Sequence, residues 1–324
     1  MSISGTSGGA ICAFLIWYSL KTKDKQIWKR LIDFWHDNTA QTYREKALND
    51  FSINSLMAIS KGILPSINMS PYSHIFQSML DMASIGVRKQ FVDLRTLLEK
   101  HIDIEKLKNI KEPHKEPILV IGSCNVLTGR LHKFSSFLEK MQIEHLLASA
   151  CIPSMFPAVS IEEMAYWDGL FSDNPPIDVL IMKKFIGMQN IPNEVWVIKI
   201  NPTTIKKIPT EPNEIADRRN TLEGNLSLFQ SLAHLESMNN LYLMNAFTPE
   251  FLKERDVKEP IKIPKLFPDD PELEYHIPII EMSAELQEML TYENKLDRSE
   301  ENITRLIKDG EKQGLAFLKA RGII

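Results

Sequence analysis

Gly5-Thr6-Ser7-Gly8-Gly9, preceded by Met1 to Ser4, runs directly into the apolar stretch Ala10-Ile-Cys-Ala-Phe-Leu-Ile-Trp-Tyr-Ser-Leu20. A G-x-S-x-G pentapeptide between a short β-like segment and a helical apolar run reads as a nucleophile elbow. The turn lifts the Ser7 hydroxyl clear of the backbone, and Gly5 and Gly9, two residues either side, are expected to relieve the crowding it creates. The helix that follows brings its open N–H groups and positive dipole end beside Ser7, so the N–H of Gly8 is placed to donate to an oxyanion. Thirteen glycines in 324 residues make a chance match uncommon, on the order of one chain in ten or fewer. The segment lacks the Lys-Ser/Thr ending of a phosphate-binding loop and the G-x-G-x-x-G order of a dinucleotide fold.

The rest of the composition is that of an ordinary globular chain, with 44% hydrophobic and 25% charged residues. With 38 Lys+Arg against 42 Asp+Glu, and no basic face interleaved with aromatics, it carries no nucleic-acid footprint. Cys12, Cys124 and Cys151 are odd in number and far apart, which argues for buried thiols in a reducing compartment rather than a disulfide framework. The run Ala10 to Leu20 has no Lys or Arg before it and no small-x-small pattern after it, so it reads as a core helix and not a signal peptide. A cytoplasmic protein is expected, in peripheral contact with membrane; secretion by a signal-independent route stays open.

Helical spacing predicts a helix over Lys25–Asp37, through Ile27, Trp28, Leu31, Ile32 and Trp35, and another over Asp81–His101, through Ile85, Leu94, Leu97 and Leu98. Leu64 to Pro71 reads as a loop. Ile118 to Val126 and Glu194 to Ile200 read as buried strands, and strands alternating with helices give an α/β sheet. A Pro/Thr/Lys stretch from Asn201 to Asn213 marks a linker, followed by a long helix over Glu214–Met244 with Gly224 as its weak point. Pro-containing segments from Pro249 to Pro271, a strand over His276–Met282 and an amphipathic helix over Ser299–Arg321 close the chain, the last with Ile303, Leu306, Ile307, Leu315 and Leu318 on one stripe.

A serine hydroxyl is a weak nucleophile until a base takes its proton. His132, His145 and His234 are each available as a triad base, though none sits in a local signature and none forms a close metal-ligand pair. Asp168, in Trp167-Asp168-Gly169-Leu170-Phe171-Ser172-Asp173-Asn174-Pro175-Pro176, is the other candidate, with Asp173 as its nearest rival. Asp-Gly by itself is more often a plain turn.

Three blocks in order make the chain resemble the patatin-like phospholipases. Gly5-Thr6-Ser7-Gly8-Gly9-Ala10 is similar to the family's elbow, Ala148-Ser149-Ala150-Cys151-Ile152-Pro153-Ser154-Met155-Phe156-Pro157 to its A-S-x-x-I-P-x-x-F-P block, and Tyr166-Trp167-Asp168-Gly169 to the loop that carries its aspartate. Arg218 to Leu228, with Asp297-Arg298-Ser299, is similar to a bacterial branch of the family that has a C-terminal extension. The resemblance implies a three-layer α/β/α fold with a mainly parallel sheet, here lacking its first strand, plus a mainly helical C-terminal region. It implies a catalytic unit over residues 1–212 and a helical extension over 213–324 packed on it. It implies a Ser7–Asp168 dyad rather than a triad, Asp168 orienting and deprotonating Ser7, with Gly169 shaping the aspartate loop and no metal or cofactor. Asp173 ranks lower because Asn-Pro follows it and a turn-bracing role fits better. Leu170 departs mildly from relatives that carry a second glycine or alanine there.

The family's first strand and its Gly-rich oxyanion loop precede the elbow, and the residues before Gly5 hold neither. The expectation is therefore a chain truncated at its start, short of one oxyanion donor, and impaired in turnover as a result. The leading function is lipid acyl hydrolysis of the phospholipase A or lysophospholipase type through an acyl-enzyme, in transient contact with a membrane surface and with no nucleic acid. The competing readings are an inactive lipid-binding or protein-interaction module, and a triad esterase on an α/β-hydrolase fold.

Overall fold

A computed structural model of the protein describes residues 1–65, 69–153, 155–171, 174–192, 194–258 and 278–324. The strands are β1 Ser2–Thr6, β2 Ile118–Asn125, β3 Arg130–Ser135, β4 Val159–Ile161, β5 Met164–Asp168, β6 Val197–Lys199 and β7 Ile279–Glu281. The helices are α1 Gly8–Lys21, α2 Lys29–Asp37, α3 Tyr43–Ser60, α4 His74–Ala83, α5 Lys89–Val92, α6 Leu94–His101, α7 Ile104–Lys108, α8 Ile143–Ser149, α9 Lys183–Ile186, α10 Pro212–Leu243, α11 Pro249–Glu254, α12 Ala284–Met289, α13 Tyr292–Lys295 and α14 Glu300–Ala320.

Ile118-Leu-Val-Ile121 is apolar at every position, so β2 buries both of its faces, and successive side chains go to opposite sides. Leu119 and Ile121 join a core with Phe14 and Trp17 of α1, Leu97 and Leu98 of α6 and Leu146 of α8. Ile118 and Val120 join a second core with Val179, Ile186, Val197 and with Leu228, Leu232 and Leu235 of α10. Helices on both sides of one sheet make three α/β/α layers, and burying each such side chain contributes about 1.5–3 kcal/mol.

Within that class the sheet is mixed rather than mainly parallel. β1 pairs β2 in parallel, whereas β2–β3, β2–β5 and β4–β5 are antiparallel, and β6–β7 form a separate parallel pair. The links explain two of the three antiparallel pairs. Only residues 126–129 join β2 to β3 and only Glu162 and Glu163 join β4 to β5, whereas a parallel crossover needs roughly a dozen residues or more.

Several elements differ from expectation for local reasons. The helix expected over Asp81–His101 is three pieces, because Gly86 sits at φ 74° and the Asp93 carboxylate caps the Arg95 N–H of a fresh helix at 3.0 Å. The helix expected from Lys25 starts at Lys29, leaving Ile27 and Trp28 exposed. Conversely, α10 runs unbroken through Gly224. The strand expected over Glu194–Ile200 shortens to β6, and that over His276–Met282 to β7, His276 and Ile277 lying outside the described residues. Residues 66–68 of the expected loop and 259–271 of the Pro-containing stretch also lie outside them. None of the three cysteines is disulfide-bonded; Cys151 is buried, Cys12 and Cys124 half-buried.

α3 was not anticipated, and it forms the base of a polar knot that ties the C-terminal segment to the rest of the chain. Thr42 and Glu45 form a capping box at its start. The Glu45 carboxylate, fully buried, accepts Arg88 Nε at 2.7 Å and the N–H groups of Gln41, Thr42 and Arg88. Next to it Arg298 donates to the Asn38 and Phe91 carbonyls and lies 3.7 Å over the Phe91 ring. Burial alone would raise the Glu45 pKa, but Arg88 and the backbone donors hold it at about 2. A depressed carboxyl contributes stability that is full above its unfolded value near 4.5 and is lost as pH falls toward 2. Glu45→Gln should therefore cost about 3 kcal/mol at pH 7 in urea unfolding and flatten the stability curve between pH 5 and 2. Equal pH slopes for variant and wild type would contradict this.

Candidate active site

The register of β2 brings the two ends of the site together. β3 takes one edge of β2 over Val120 to Asn125, so β1 and β5 share the other. On that edge Thr6 lies opposite Gly122 and Asp168 lies opposite Ser123, the next residue. β1 thus ends where antiparallel β5 ends, and Ser7 and Asp168, about 160 residues apart in sequence, emerge side by side. The Ser7 hydroxyl is near enough to the Asp168 carboxylate to lower its pKa.

Ser7 is half-buried and occupies φ 55°, ψ −126°, a conformation that L residues adopt at a cost of about 1–3 kcal/mol when the surroundings over-determine it. Its carbonyl starts the ladder of α1 by accepting from Ala10 N at 2.9 Å and Ile11 N at 3.2 Å. The N–H groups of Gly8 and Gly9 therefore stand at the open end of the helix, where the dipole favours negative charge. Of the two glycines expected to relieve crowding, only Gly5 does so. A Cβ on Gly5 would lie 2.4 Å from the Gly9 carbonyl oxygen, whereas one on Gly9 meets nothing within 4 Å.

Asp168 is 1% exposed. Its N–H donates to the Cys151 carbonyl at 2.8 Å and its Oδ1 accepts from Leu170 N at 2.8 Å. Burial pushes its pKa above the ordinary carboxylate value, opposed by the hydrogen bonds from Ser7 and Leu170. A carboxylate that holds a proton more readily than usual, beside a hydroxyl at a helix N-terminus, is suited to accept that hydroxyl's proton. Gly169 lets the turn after it close, because a Cβ there would lie 2.6 Å from Gly122 O and 2.7 Å from Thr6 Cγ2. Asp173, the rival aspartate, lies outside the described residues, as does Ser154.

Of the three candidate histidines, His234 is exposed on α10 and the other two are packed among aromatic rings. His145 is buried against the Phe134 ring, centroids 4.1 Å apart, and burial drives its pKa down to about 4. His132 packs on Phe134 and Tyr166, and burial lowers its pKa as well. Among the described residues no histidine hydrogen-bonds Ser7 or Asp168, and no group of three His, Cys, Asp or Glu is placed to hold a metal ion. The Cys151 thiol, pushed to about 11 chiefly by burial, is a poor rival nucleophile. Among them, too, no helix is long and apolar enough to cross a membrane.

Two supports escaped the sequence reading. Ser149, fully buried at the end of α8, accepts the Ser7 N–H at 2.9 Å and donates to Gly122 O at 2.7 Å. Its place in the block quoted above was the available signal. The aspartate loop is in turn held by α10: Ser227 Oγ accepts Asn174 N at 2.7 Å and donates to Asn174 O at 3.0 Å. Close by, a Cβ on Gly224 would stand 2.5 Å from Asn201 Nδ2 and 3.4 Å from Leu170 Cδ1. No spacing in the sequence advertises a contact between segments so far apart.

No curated protein matches the chain. The family model described as Patatin-like phospholipase matches residues 2–181, more than half of the sequence, and spans β1, the Ser7 turn, β2, Ser149 and Asp168. With the elbow and the Asp168 turn inside that match, and the sheet that carries them layered by helices on both faces, the chain belongs to the patatin-like phospholipase family.

Proposed function

We propose that the protein is a phospholipase A or lysophospholipase that works through a Ser7–Asp168 dyad, on lipid presented at a membrane surface. The family acts on lipid substrates as acyl hydrolases in general, and the observation that carries the finer reading is the placement of the half-buried Ser7 beside the buried Asp168 carboxylate, at the ends of β1 and β5 on one edge of β2. Asp168 accepts the hydroxyl proton as Ser7 Oγ attacks the ester carbonyl, and the Gly8 N–H at the head of α1 donates to the oxyanion. The proton passes from Asp168 to the departing alcohol, leaving an acyl-Ser7 ester. Water then attacks that ester, giving its proton to Asp168 and releasing the fatty acid as Ser7 Oγ recovers a proton. Residues 1–212 form the catalytic unit in this reading, with residues 213–324 as an extension packed on it.

A fluorophosphonate probe tests it. Wild type should label at one serine and hydrolyse lysophosphatidylcholine, and Ser7→Ala should lose both. Labelling that survives Ser7→Ala places the nucleophile elsewhere, and a wild type that neither labels nor hydrolyses points to a binding module.

A further inference from the structure

Ser7 cannot hold its backbone conformation unaided. Three restraints act on it: the β ladder through Thr6, the helix bonds to its carbonyl, and one side-chain contact on its N–H, from Ser149. That third contact has a fixed polarity. Gly122 O can only accept, so the Ser149 hydroxyl donates to it and turns a lone pair toward the Ser7 N–H. The result is a closed ring: Thr6 pairs Gly122, Gly122 O holds Ser149, Ser149 holds Ser7, and Ser7 follows Thr6 in the chain. Gly122 also receives the close approach of Gly169, the residue after Asp168. One hydroxyl therefore fixes the elbow against the same carbonyl that seats the aspartate turn.

We propose that Ser149 is a positioning residue for the reaction: by clamping the Ser7 N–H to Gly122 O it holds the Ser7 hydroxyl in reach of Asp168 and the Gly8 N–H in line with the oxyanion. This rests on the hydrolase reading above. Without the clamp the Ser7 N–H loses its partner, and the strained turn is free to relax. A relaxed elbow moves the nucleophile but leaves the surface that binds lipid. The loss should accordingly appear in kcat and not in KM, and a displacement near 1 Å costs on the order of a hundredfold.

The experiment compares Ser149→Ala with Ser136→Ala. Ser136 is an equally buried serine whose hydroxyl accepts a β2 main-chain N–H, that of Leu119 at 2.9 Å, near the start of the strand and away from the site. Both variants remove the same chemical group from contact with the same strand, and both should unfold at a lower temperature. With p-nitrophenyl butyrate as substrate, Ser149→Ala should lose about ten- to a hundredfold in kcat with KM within about twofold, and fluorophosphonate labelling of Ser7 should slow in step. Ser136→Ala should keep kcat within about twofold of wild type. Should Ser149→Ala not fold, Ser149→Cys keeps the size and a weak donor, and its kcat should still fall several-fold. Wild-type kcat in either Ser149 variant, or an equal loss in Ser136→Ala, overturns the proposal while the hydrolase reading stands. A wild type inert to both ester and probe overturns both.

Discussion

Asp168→Asn should lower ester turnover by about 10³–10⁴-fold and, at neutral pH, leave the protein at least as stable as wild type. Asparagine has nearly the same shape and keeps an acceptor for the Leu170 N–H, but it cannot take the Ser7 proton. The stability half follows from the direction of the carboxyl's shift. Burial raises the Asp168 pKa above its ordinary value of 3.8, so the native state holds this proton more tightly than the unfolded chain does. Stability from such a group is full below the unfolded value and is lost as pH rises through the folded one, so at pH 7 the charged form is a net cost. The advantage of Asp168→Asn in unfolding midpoint should therefore widen from pH 4 upward and then level off. A variant that keeps turnover within tenfold, or is markedly less stable than wild type at pH 8, refutes the role given to Asp168.

Gly5→Ala should be the most damaging single-methyl change in the elbow, and Gly9→Ala among the mildest. The methyl added at position 5 would fall 2.4 Å from Gly9 O, 2.5 Å from Gly9 C and 2.7 Å from Ala10 N, all main-chain atoms of the first turn of α1. No rotamer relieves that contact. Either β1 leaves its register with β2 or α1 tips away, and α1 carries Phe14, Trp17 and Tyr18 of the main core. A loss of more than about 3 kcal/mol is expected, with esterase activity abolished in whatever folds. At Gly9 the added methyl meets open space, and alanine favours a helical position by up to about 1 kcal/mol over glycine. Urea unfolding of the pair checks it: equal destabilisation would mean that both glycines serve the turn in the same way.

The two halves of the site were not equally readable. The elbow stands out because a single short stretch holds the strand end, the turn and the apolar helix, and β2 is plain because four consecutive apolar residues have to be buried on both faces. Asp168 was visible only through the company of the family's other blocks, since β5 is short and half-exposed and its Asp-Gly reads as an ordinary turn. α3 escaped for a more physical reason. Its buried positions, Glu45, Asn49 and Ile53, fall one turn apart as a helix face should, but two of the three are polar, and hydrophobic periodicity is blind to a face held by ion pairs and amides. α10 also buries polar residues, Thr221, Asn225 and Asn239, but beside enough leucines over enough length to be read as a helix. The mainly parallel sheet that the resemblance implies gives way at β2–β3 and β4–β5, where the links are too short for a crossover.

Because Thr6 and Asp168 hang from neighbouring residues of one strand edge, the spacing of the reacting groups is a property of the backbone repeat, about 3.3 Å per residue, and owes nothing to the stretch from Thr22 to Pro117. That excursion leaves after α1 and returns at β2. Lengthening it costs only about 0.6 kcal/mol per doubling where it loops freely. Its exposed loops, as distinct from the core side of α6 and the Glu45–Arg88 pair, are accordingly where insertions and new surface chemistry can accumulate, and where an engineer can alter what reaches the serine, without retuning the serine itself.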